Sequence, residues 1–420
     1  MRKVKLSDVC EISSGGTPSR NNPEYFYGDI PWAKISDIEN ANNGIVYATE
    51  EHISKEGLKN IRGKIFPKDT LLFAMYGSIG KVGIAGIKLS TNQAILGVRP
   101  RRDDEININY LKSWFESNKQ KLINQGRGVA LKNLSATIVR NLEIELPVID
   151  DQVRIAHLLG KVEGLIAQRK QHLQQLDDLL KSAFLEMFGF RDQTYKKWTI
   201  DALEVYTKIV SGVTKGKKYN SKNLIEVPYM RVANVQDGHF VLDEIKTIFV
   251  TQKEVDQYLL FSGDLLLTEG GDPDKLGRGS VWKNQIENCI HQNHIFRVRI
   301  SEHSKINPYY LSALIGSRYG KSYFLKAAKQ TTGIASINST QLKNFPVVIP
   351  PIELQKQFAT IVEKVESLKS RYQRSLIDLE SLYGALSRQA FKGELDLSRV
   401  PLPGTQPEEK KVVTVEPQDR

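Results

Sequence analysis

Apolar residues recur at alternating steps of three and four along two segments of this chain, which is the spacing of one face of a helix. The first segment spans residues 151–188 and contains no proline, and the second follows Pro350 and Pro351. Adding 203 to a position in the first series gives a position in the second. The apolar seams comprise Leu159, Val162, Ile166, Leu173, Leu176 and Leu180 in the first segment, and Val362, Val365, Leu376, Leu379, Tyr383 and Leu386 in the second.

This spacing is the heptad pattern of a coiled coil. Each series contains one charged residue, Arg169 in the first and Lys369 in the second. Two seams of equal length in one chain predict that the helices pair as an antiparallel coiled-coil rod with one domain at each end. The alternative is that each helix packs only on its own domain.

The segments before the two helices also repeat. Short apolar or alternating runs, broken by Gly, Asn and Pro, predict short strands and turns, and residues 108–124 predict a helix. The fold class is therefore α+β, with two similar mixed α/β domains, each followed by a long helix. The matching runs are residues 31–38 with 228–235, 69–73 with 264–268, and 93–99 with 293–299.

The same patterns predict where the segments of the chain begin and end. The tail is rich in proline and mixed charge, so we expect it to be disordered. The predicted boundaries are 1–147 for the first domain, 148–193 for the first spacer helix, 194–350 for the second domain, 351–397 for the second spacer helix and 398–420 for the tail.

The chain carries a net charge of +11 and has a sequence pI near 9.3. Charge of this sign fits a nucleic-acid partner, although an ordinary basic protein has the same balance. Only Cys10 and Cys289 are present, so we expect reduced thiols and a cytoplasmic location. No apolar run follows the first charged residues, so we expect no signal peptide, and none approaches the ~20 residues of a membrane span, so we expect no membrane partner.

The order of several motifs resembles the specificity (S) subunit of type I restriction–modification systems. In the first half the resemblance rests on residues 14–19, 31–38, 77–83 and 92–94. In the second half it rests on residues 349–355, Ile-Pro-Pro-Ile-Glu-Leu-Gln, which begin the second helix. The first half departs from that segment but keeps Gln152 where the second half has Gln355.

The resemblance implies two target-recognition domains, each of which reads one half of a split sequence in double-stranded DNA. It also implies that the helices are spacers that dock two methyltransferase (M) subunits, and that restriction (R) subunits join the complex. This chain would then need no cofactor. S-adenosylmethionine, ATP and Mg would bind the partner subunits.

Two segments of the chain resemble catalytic motifs without completing them. Residues 307–310, Asn-Pro-Tyr-Tyr, lack the second proline of an amino-methyltransferase loop and are interpreted as a helix start. Residues 77–81, Gly-Ser-Ile-Gly-Lys, resemble a phosphate-binding loop for nucleotides, but Met75 stands at its first glycine position and Val82 at its Ser/Thr position. A contact with a DNA phosphate and a plain strand turn both remain open for this glycine loop.

No metal site is predicted. Residues 244–246, Glu-Ile-Lys, have the acid-x-Lys spacing of a metal-dependent nuclease, but no Pro-Asp pair precedes them. His291 and His294 lie three residues apart, and no Cys or further His completes a ligand set.

Proteins that read DNA need polar donors for base edges and Lys or Arg for phosphates. Three polar loops occur in both halves with different residues. Lys34 and Arg231 occupy equivalent positions and are the favoured pair, while a solvated role stays open for any single cation. The candidate DNA-binding residues are Thr17, Ser19, Arg20, Lys34, Ser78, Lys81, Arg127, Lys132, Thr214, Lys217, Lys218, Arg231, Lys275, Arg278, Thr332 and Asn338.

We therefore expect a non-catalytic DNA-recognition subunit that reads a bipartite asymmetric site and positions methyltransferase and restriction subunits. A self-contained DNA-modifying enzyme is one alternative, and methyl-donor binding by the isolated chain would favour it. A coiled-coil scaffold with no nucleic-acid role is the other. A gel shift on random duplex, with its salt dependence, separates the scaffold from the DNA reader.

Overall fold

The structure is a computed structural model that describes residues 1–41, 43–61, 63–125, 134–217, 219, 223–271, 276–331 and 334–404. The chain divides into two compact units. Unit 1 comprises Met1–Gln171 with Gln373–Arg420, and unit 2 comprises His172–Tyr372. Within the described residues, no helix is both long enough and apolar enough to cross a membrane.

Unit 1 contains ten strands and six short α-helices within the described residues. The strands are β1 (Arg2–Lys5), β2 (Cys10–Ser14), β3 (Ile30–Ala33), β4 (Ile45–Val46), β5 (Glu51–Ile53), β6 (Leu71–Ala74), β7 (Val82–Ala85), β8 (Ser90–Thr91), β9 (Ile95–Pro100) and β10 (Glu143–Leu146). The helices are α1 (Leu6–Val9), α2 (Ile35–Glu39), α3 (Lys55–Asn60), α4 (Ile108–Ser117), α5 (Lys119–Gln125) and α6 (Ala136–Arg140). The sheets have the orders β2-β9-β6-β7-β4, β5-β3-β8 and β1-β10.

Unit 2 repeats this plan. Its strands are β11 (Thr199–Ala202), β12 (Thr207–Ser211), β13 (Ile225–Met230), β14 (Lys246–Val250), β15 (Leu265–Thr268), β16 (Gly270–Gly271), β17 (Gly279–Val281), β18 (Ile290–His291), β19 (Ile295–Ile300), β20 (Lys329–Thr331), β21 (Ile334–Ser336) and β22 (Pro346–Ile349). Its short helices are α8 (Gln252–Tyr258), α9 (Pro308–Gly316), α10 (Arg318–Ala327) and α11 (Ser339–Lys343). The sheets have the orders β12-β19-β15-β17, β14-β13-β18, β11-β22 and β16-β21-β20.

The two long helices, α7 (Ile149–Met187) and α12 (Ile352–Lys392), are called the first and second spacer helix. Gly189 follows the first with φ +61°, a left-handed conformation that suits glycine after a helix end. The helix predicted over residues 108–124 is instead two helices, α4 and α5. The break lies at Asn118, whose side chain donates to the carbonyl of Trp114 at 2.9 Å and ends the first helix.

The main sheet of each unit is covered on both faces, because successive side chains of a strand point to opposite sides. In β6, Leu71 and Phe73 join a core that includes Leu159 of the first spacer helix. Leu72 joins a second core, which contains Ala33 and is called the far core of unit 1. The same alternation in β15 places Leu265 and Leu267 in the helix-side core of unit 2 and Leu266 in its far core.

A buried glutamine ties each spacer helix to its domain. The Gln152 carbonyl accepts from the Asn107 N–H at 2.8 Å, and its amide donates to the carbonyls of Glu105 and Pro147 at 3.0 and 2.9 Å. Gln355 is also fully buried and makes the matching three bonds, with the Asn307 N–H at 2.9 Å and the carbonyls of Lys305 and Pro350 at 2.9 and 2.8 Å. We call these two residues the glutamine locks.

The seam positions of the spacer helices face protein. Every seam residue predicted from the sequence is buried or half-buried, and none is exposed. Those with the least exposed surface are Leu159, Val162, Val362 and Val365. Ile166, Leu173, Leu176, Leu180, Leu376, Leu379, Tyr383 and Leu386 are half-buried.

Within each unit the two spacer helices run antiparallel. In unit 1 the Tyr383 hydroxyl donates to Glu163 at 2.6 Å, and the Lys170 ammonium lies 3.0 Å from Glu380. In unit 2 the charged seam residue Lys369 pairs with Asp177, and the Phe184 and Phe358 rings lie 5.8 Å apart. The contacts in each unit advance along one helix as they retreat along the other. A single coiled-coil rod through both units stays a prediction.

Candidate nucleic-acid interface

In unit 1, two of the candidate cations share one carboxylate. The Lys34 ammonium lies 2.8 Å from Glu51 and 3.1 Å from Glu50, and an Arg20 guanidinium nitrogen lies 2.8 Å from Glu51. The hydrogen bonds that the Lys34 ammonium donates to Glu51 and Glu50 raise the pKa of Lys34. Burial alone would raise the pKa of Glu51, but the hydrogen bonds from Lys34 and Arg20 outweigh burial and lower it. Glu51 therefore forms ion pairs with both cations at one end of β5.

The backbone beside Lys34 is fixed by a helix cap. The Lys34 N–H donates to Asp37 at 2.6 Å, and the same buried carboxylate accepts from the Glu50 N–H at 2.9 Å. Carboxylates stabilise helix starts in this way, because the first N–H groups of a helix lack partners. Trp32 precedes this cap and is buried, with its indole N–H donating to the Gly16 carbonyl at 3.0 Å. The backbone of Lys34 is therefore held in place by hydrogen bonds beside the far core of unit 1.

Aromatic rings support the second cation of this cluster. The Arg20 guanidinium lies 4.2 Å from the centre of the Phe26 ring and 5.4 Å from the centre of the Trp32 ring. Such cation–π contacts attract the guanidinium to the faces of the two rings. The loop that carries Arg20 also carries Thr17 and Ser19, and all three side chains are exposed.

The glycine loop of unit 1 is a turn between β6 and β7. Gly77 and Gly80 have φ values of +62° and +76°, which glycine adopts without strain. The Ser78 hydroxyl donates to Glu39, and Lys81 is half-buried where β7 begins. Through Glu39 the Ser78 side chain contacts α2, the helix that begins directly after Lys34.

Unit 2 has an equivalent capped cation. The Arg231 N–H donates to Asn234 at 3.0 Å, as the Lys34 N–H does to Asp37. The Arg231 guanidinium donates to the Glu244 carbonyl at 2.9 Å and lies 3.4 Å from the Glu244 carboxylate, which also lies 3.3 Å from the Lys246 ammonium. Hydrogen bonds from Lys246 and then Arg231 lower the pKa of Glu244.

The two clusters differ at an equivalent position of the sheet. Trp32 of β3 pairs with Glu51 of β5, and Tyr229 of β13 pairs with Lys246 of β14. Glu51 in unit 1 is therefore replaced by Lys246 in unit 2. The neighbouring cations, Lys34 and Arg231, occupy equivalent positions. The two surfaces consequently offer different donors and acceptors on the same frame.

A second ion pair of unit 2 involves Lys217. Its ammonium lies 2.7 Å from Glu254 and 5.2 Å from the centre of the Tyr219 ring. Burial would raise the pKa of Glu254, but hydrogen bonds from Lys217 and Thr251 outweigh it and lower the pKa to about 2. Thr214, on the same loop, is exposed.

The other described candidates of unit 2 have partners within the unit. The Arg278 guanidinium donates to Gln236 at 3.3 Å. Asn338 is the N-cap of α11, and its side-chain oxygen accepts from the Gln341 N–H at 2.9 Å. The candidates Arg127, Lys132, Lys218, Lys275 and Thr332 lie outside the described residues.

Sequence reasoning selected cations and overlooked the acids that hold them. Glu50, Glu51, Glu244 and Glu254 each contact a candidate lysine or arginine. The strand register that brings Glu51 beside Lys34 was the missing information, because the residues are far apart in the sequence. The duplication itself carried a signal, since aligning β5 with β14 shows the change from acid to base.

Two thiols and one imidazole are shielded from solvent. Cys10 and Cys289 are buried, and burial raises the pKa of each thiol to about 12. Burial lowers the pKa of His291 to about 3, so its imidazole is neutral. Asn307 caps α9 by accepting from the Tyr309 N–H at 2.9 Å, which confirms a helix start there. Among the residues described, no group of three or more His, Cys, Asp or Glu is placed to hold a metal.

Comparison with known proteins gives matches to one protein family. The family model for the type I restriction modification DNA specificity domain matches residues 1–177 and again residues 201–378. The specificity subunit of the type I restriction enzyme MjaIX from Methanocaldococcus jannaschii is 23% identical over 410 residues, which cover 93% of this chain and 92% of that subunit. The EcoKI specificity subunit of Escherichia coli is 21% identical and covers 93% of this chain and 88% of its own.

A solved structure has the same fold. The S subunit of a type I restriction–modification system from M. genitalium superposes with a TM-score of 0.55 at 14% identity. The match covers 93% of this chain and 96% of the other. At this level of identity the likeness extends to the fold alone.

Proposed function

Because this chain belongs to the type I restriction–modification DNA specificity family, we propose that each of its two domains reads one half of a bipartite, asymmetric DNA sequence. The observation that carries the proposal is the pair of capped cations, Lys34 and Arg231, on the same frame. Their neighbours differ, with Glu51 beside one and Lys246 beside the other. Two readers of one sequence need identical contacts, whereas two readers of different sequences need this divergence.

The ion pairs suit a surface that exchanges partners on binding. Lys and Arg contact phosphates or guanine, and a carboxylate accepts from the amino group of cytosine. In the free protein, Glu51 holds Lys34 and Arg20 in place, so their side chains are ordered before DNA arrives. On DNA, a phosphate or a base edge replaces the carboxylate as partner. The described candidates proposed to contact DNA are Thr17, Ser19, Arg20, Lys34, Ser78, Lys81, Thr214, Lys217, Arg231, Arg278 and Asn338.

In this proposal the chain performs no chemistry. Methyl transfer, with S-adenosylmethionine, belongs to M subunits, and ATP- and Mg-dependent steps belong to R subunits. Two features support this division. Both thiols are buried and protonated, and the one buried imidazole is neutral with its Nδ1 bonded to the Ile295 carbonyl at 3.0 Å. None of these groups is placed to act on DNA.

The spacer helices carry a repeated apolar surface that fits two copies of one partner. Leu165 and Leu368 are equivalent in the duplication and are 47% and 40% exposed, and Leu179 and Leu382 are equivalent and are 51% and 46% exposed. Leu165 and Leu382 belong to unit 1, and Leu179 and Leu368 belong to unit 2. Each unit therefore has one outward leucine from each helix. We infer that each pair docks one M subunit.

Methylome sequencing tests the proposed function. The chain is expressed with its M subunits in a host that lacks other adenine methylation, with a host that expresses the M subunits alone as control. We expect methylation at one bipartite sequence only when this chain is present. Methylation of the same sites by the M subunits alone would overturn the proposal, as would methyl transfer by the purified chain.

A further inference from the structure

The two spacer helices carry a glutamate at equivalent positions. Glu163 and Glu366 are 203 residues apart, and each directly follows a seam valine, Val162 or Val365. Each glutamate is bonded by a lysine that comes from a domain rather than from a helix partner. The sequence does not reveal this link, because both lysines are remote from the helices in the chain.

In unit 1 the link joins three helices. The Lys112 ammonium of α4 lies 2.8 Å from Glu116 and 3.1 Å from Glu163, and its side chain is only 12% exposed. The Tyr383 hydroxyl of the second spacer helix donates to the other oxygen of Glu163 at 2.6 Å. Glu163 therefore receives a bond from the domain and a bond from the opposite helix.

In unit 2 the link is made by a different part of the domain. Lys283 follows β17 and pairs with Glu366, and its ammonium lies 5.4 Å from the centre of the Tyr309 ring at the start of α9. The position equivalent to Lys112 in α9 is Ser312, since Tyr110 and Tyr310 correspond.

The lysines of the two links are therefore not equivalent, although the glutamates are. A bond kept from a duplicated ancestor would use the same lysine in both halves. Here two lysines from different elements reach the same position of the spacer helix. This points instead to a requirement for the lysine–glutamate bond itself. That requirement concerns the attachment of each domain to its spacer helix.

Each domain already has one attachment, the glutamine lock at the helix start. Glu163 lies eleven residues beyond Gln152, and Glu366 lies eleven beyond Gln355, which is about 16 Å along a helix. A single point of attachment leaves a body free to tilt, while two points at this separation fix its direction. We propose that Glu163 and Glu366 are positioning residues, which with the glutamine locks fix the angle of each domain on its spacer helix and thereby the gap between half-sites.

The inference rests on the proposed function, because only a bipartite reader has a gap to set. Angular freedom of one domain would move its reading surface along the DNA, where one base pair is about 3.4 Å. A tilt of a few degrees at the end of a domain some tens of ångströms long suffices for that shift. Loss of either link should therefore widen the range of gaps and leave the bases of both half-sites unchanged.

The test uses the complex with M subunits and a library of duplexes that contain both half-sites at gaps varied by single base pairs. The variants are Lys112→Met and Lys283→Met, which remove one ammonium and keep the length of the side chain. The matched controls are Lys161→Met and Lys364→Met, because both lysines are exposed on the spacer helices. A charge exchange, Lys283→Glu with Glu366→Lys, restores the bond in the opposite sense.

We expect each variant to raise methylation at gaps one base pair longer or shorter by about tenfold relative to the parent, which corresponds to about 1.4 kcal/mol of lost preference. The controls and the charge exchange should keep a single gap. A single gap in both variants would overturn the inference, even if both melt at lower temperature, since that result describes a purely stabilising bond.

Where Lys→Met complexes fail to assemble, Glu163→Gln and Glu366→Gln replace them in the same library. Glutamine keeps the shape of the side chain and accepts a hydrogen bond, but it loses the charge. A broadened gap in these variants supports the inference, and an unchanged gap contradicts it. If the parent complex itself methylates no bipartite site, the proposed function fails and this inference fails with it.

Discussion

The two units share their framework and differ on the surfaces that we propose to read DNA. Gln152 and Gln355 make the same three hydrogen bonds to equivalent backbone groups. Glu51 and Lys246, at equivalent strand positions, have opposite charge. The difference shows which parts of the duplicated chain are constrained by folding and which are available for recognition. Buried polar bonds cannot change without loss of stability, whereas an exposed ion pair contributes little to folding and is free to vary.

The largest effect is expected at the framework. Gln152→Leu and Gln355→Leu each leave one N–H and two carbonyls buried without a partner, which costs roughly 3 kcal/mol or more. Denaturant unfolding should show similar losses for both variants, with Gln168→Leu, an exposed residue of the first spacer helix, as control. A loss in only one of the two would show that the units do not share this lock.

The spacer helices offer a comparison between their inner and outer leucines. Leu176→Asp and Leu379→Asp place a charge in the half-buried seam and should destabilise the chain by roughly 2 to 4 kcal/mol. Leu179→Asp changes an outward leucine, so melting should stay near the parent value while assembly with M subunits weakens. Equal melting for Leu176→Asp and Leu179→Asp would contradict the predicted seam.

The capped cations should act on separate half-sites. Lys34→Ala and Arg231→Ala should each weaken binding of the specific duplex by roughly 1–3 kcal/mol and relax only one half of the sequence. Titrations against duplexes altered in one half at a time measure this effect. Uniform weakening across all sequences, with a salt slope lower by about one, would instead show a contact to phosphate alone.

The last comparison concerns two carboxyls with opposite pKa shifts. Burial raises the pKa of Glu116 to about 7, with the Glu163 charge adding to it against the opposing Lys112. An unfolded glutamate ionises near 4.5, so Glu116 reduces stability as the pH rises from there to about 7. Glu254, with a pKa lowered to about 2, contributes stability above pH 4.5 that is lost as the pH falls.

The free energy of unfolding, measured over a pH series for Glu116→Gln, Glu254→Gln and the parent, compares the two carboxyls. Relative to the parent, Glu116→Gln should gain stability as the pH rises from about 5 to about 8. Glu254→Gln should lose most above about pH 5 and approach the parent in acid. Parallel pH profiles for the two variants would contradict the assigned shifts.

Periodicity predicted the long helices and their seams because a packed helix face repeats its apolar residues in sequence. The duplication predicted two similar mixed domains, because similar sequence segments form similar strands and helices. The sequence did not predict that α4 ends at Asn118, where a single side-chain bond decides the break. Nor did it predict the acids beside Lys34 and Arg231 or the links to Glu163 and Glu366, since these depend on strand register and on distant lysines.

Exchange of one domain tests the central claim, that the two domains read independently. Residues 195–350 are replaced by the corresponding domain of a relative that has a different target, and the methylome of a host with the M subunits is sequenced. The account predicts that one half of the methylated sequence changes to that of the relative while the other half keeps its bases. A change in both halves, or in neither, would contradict it.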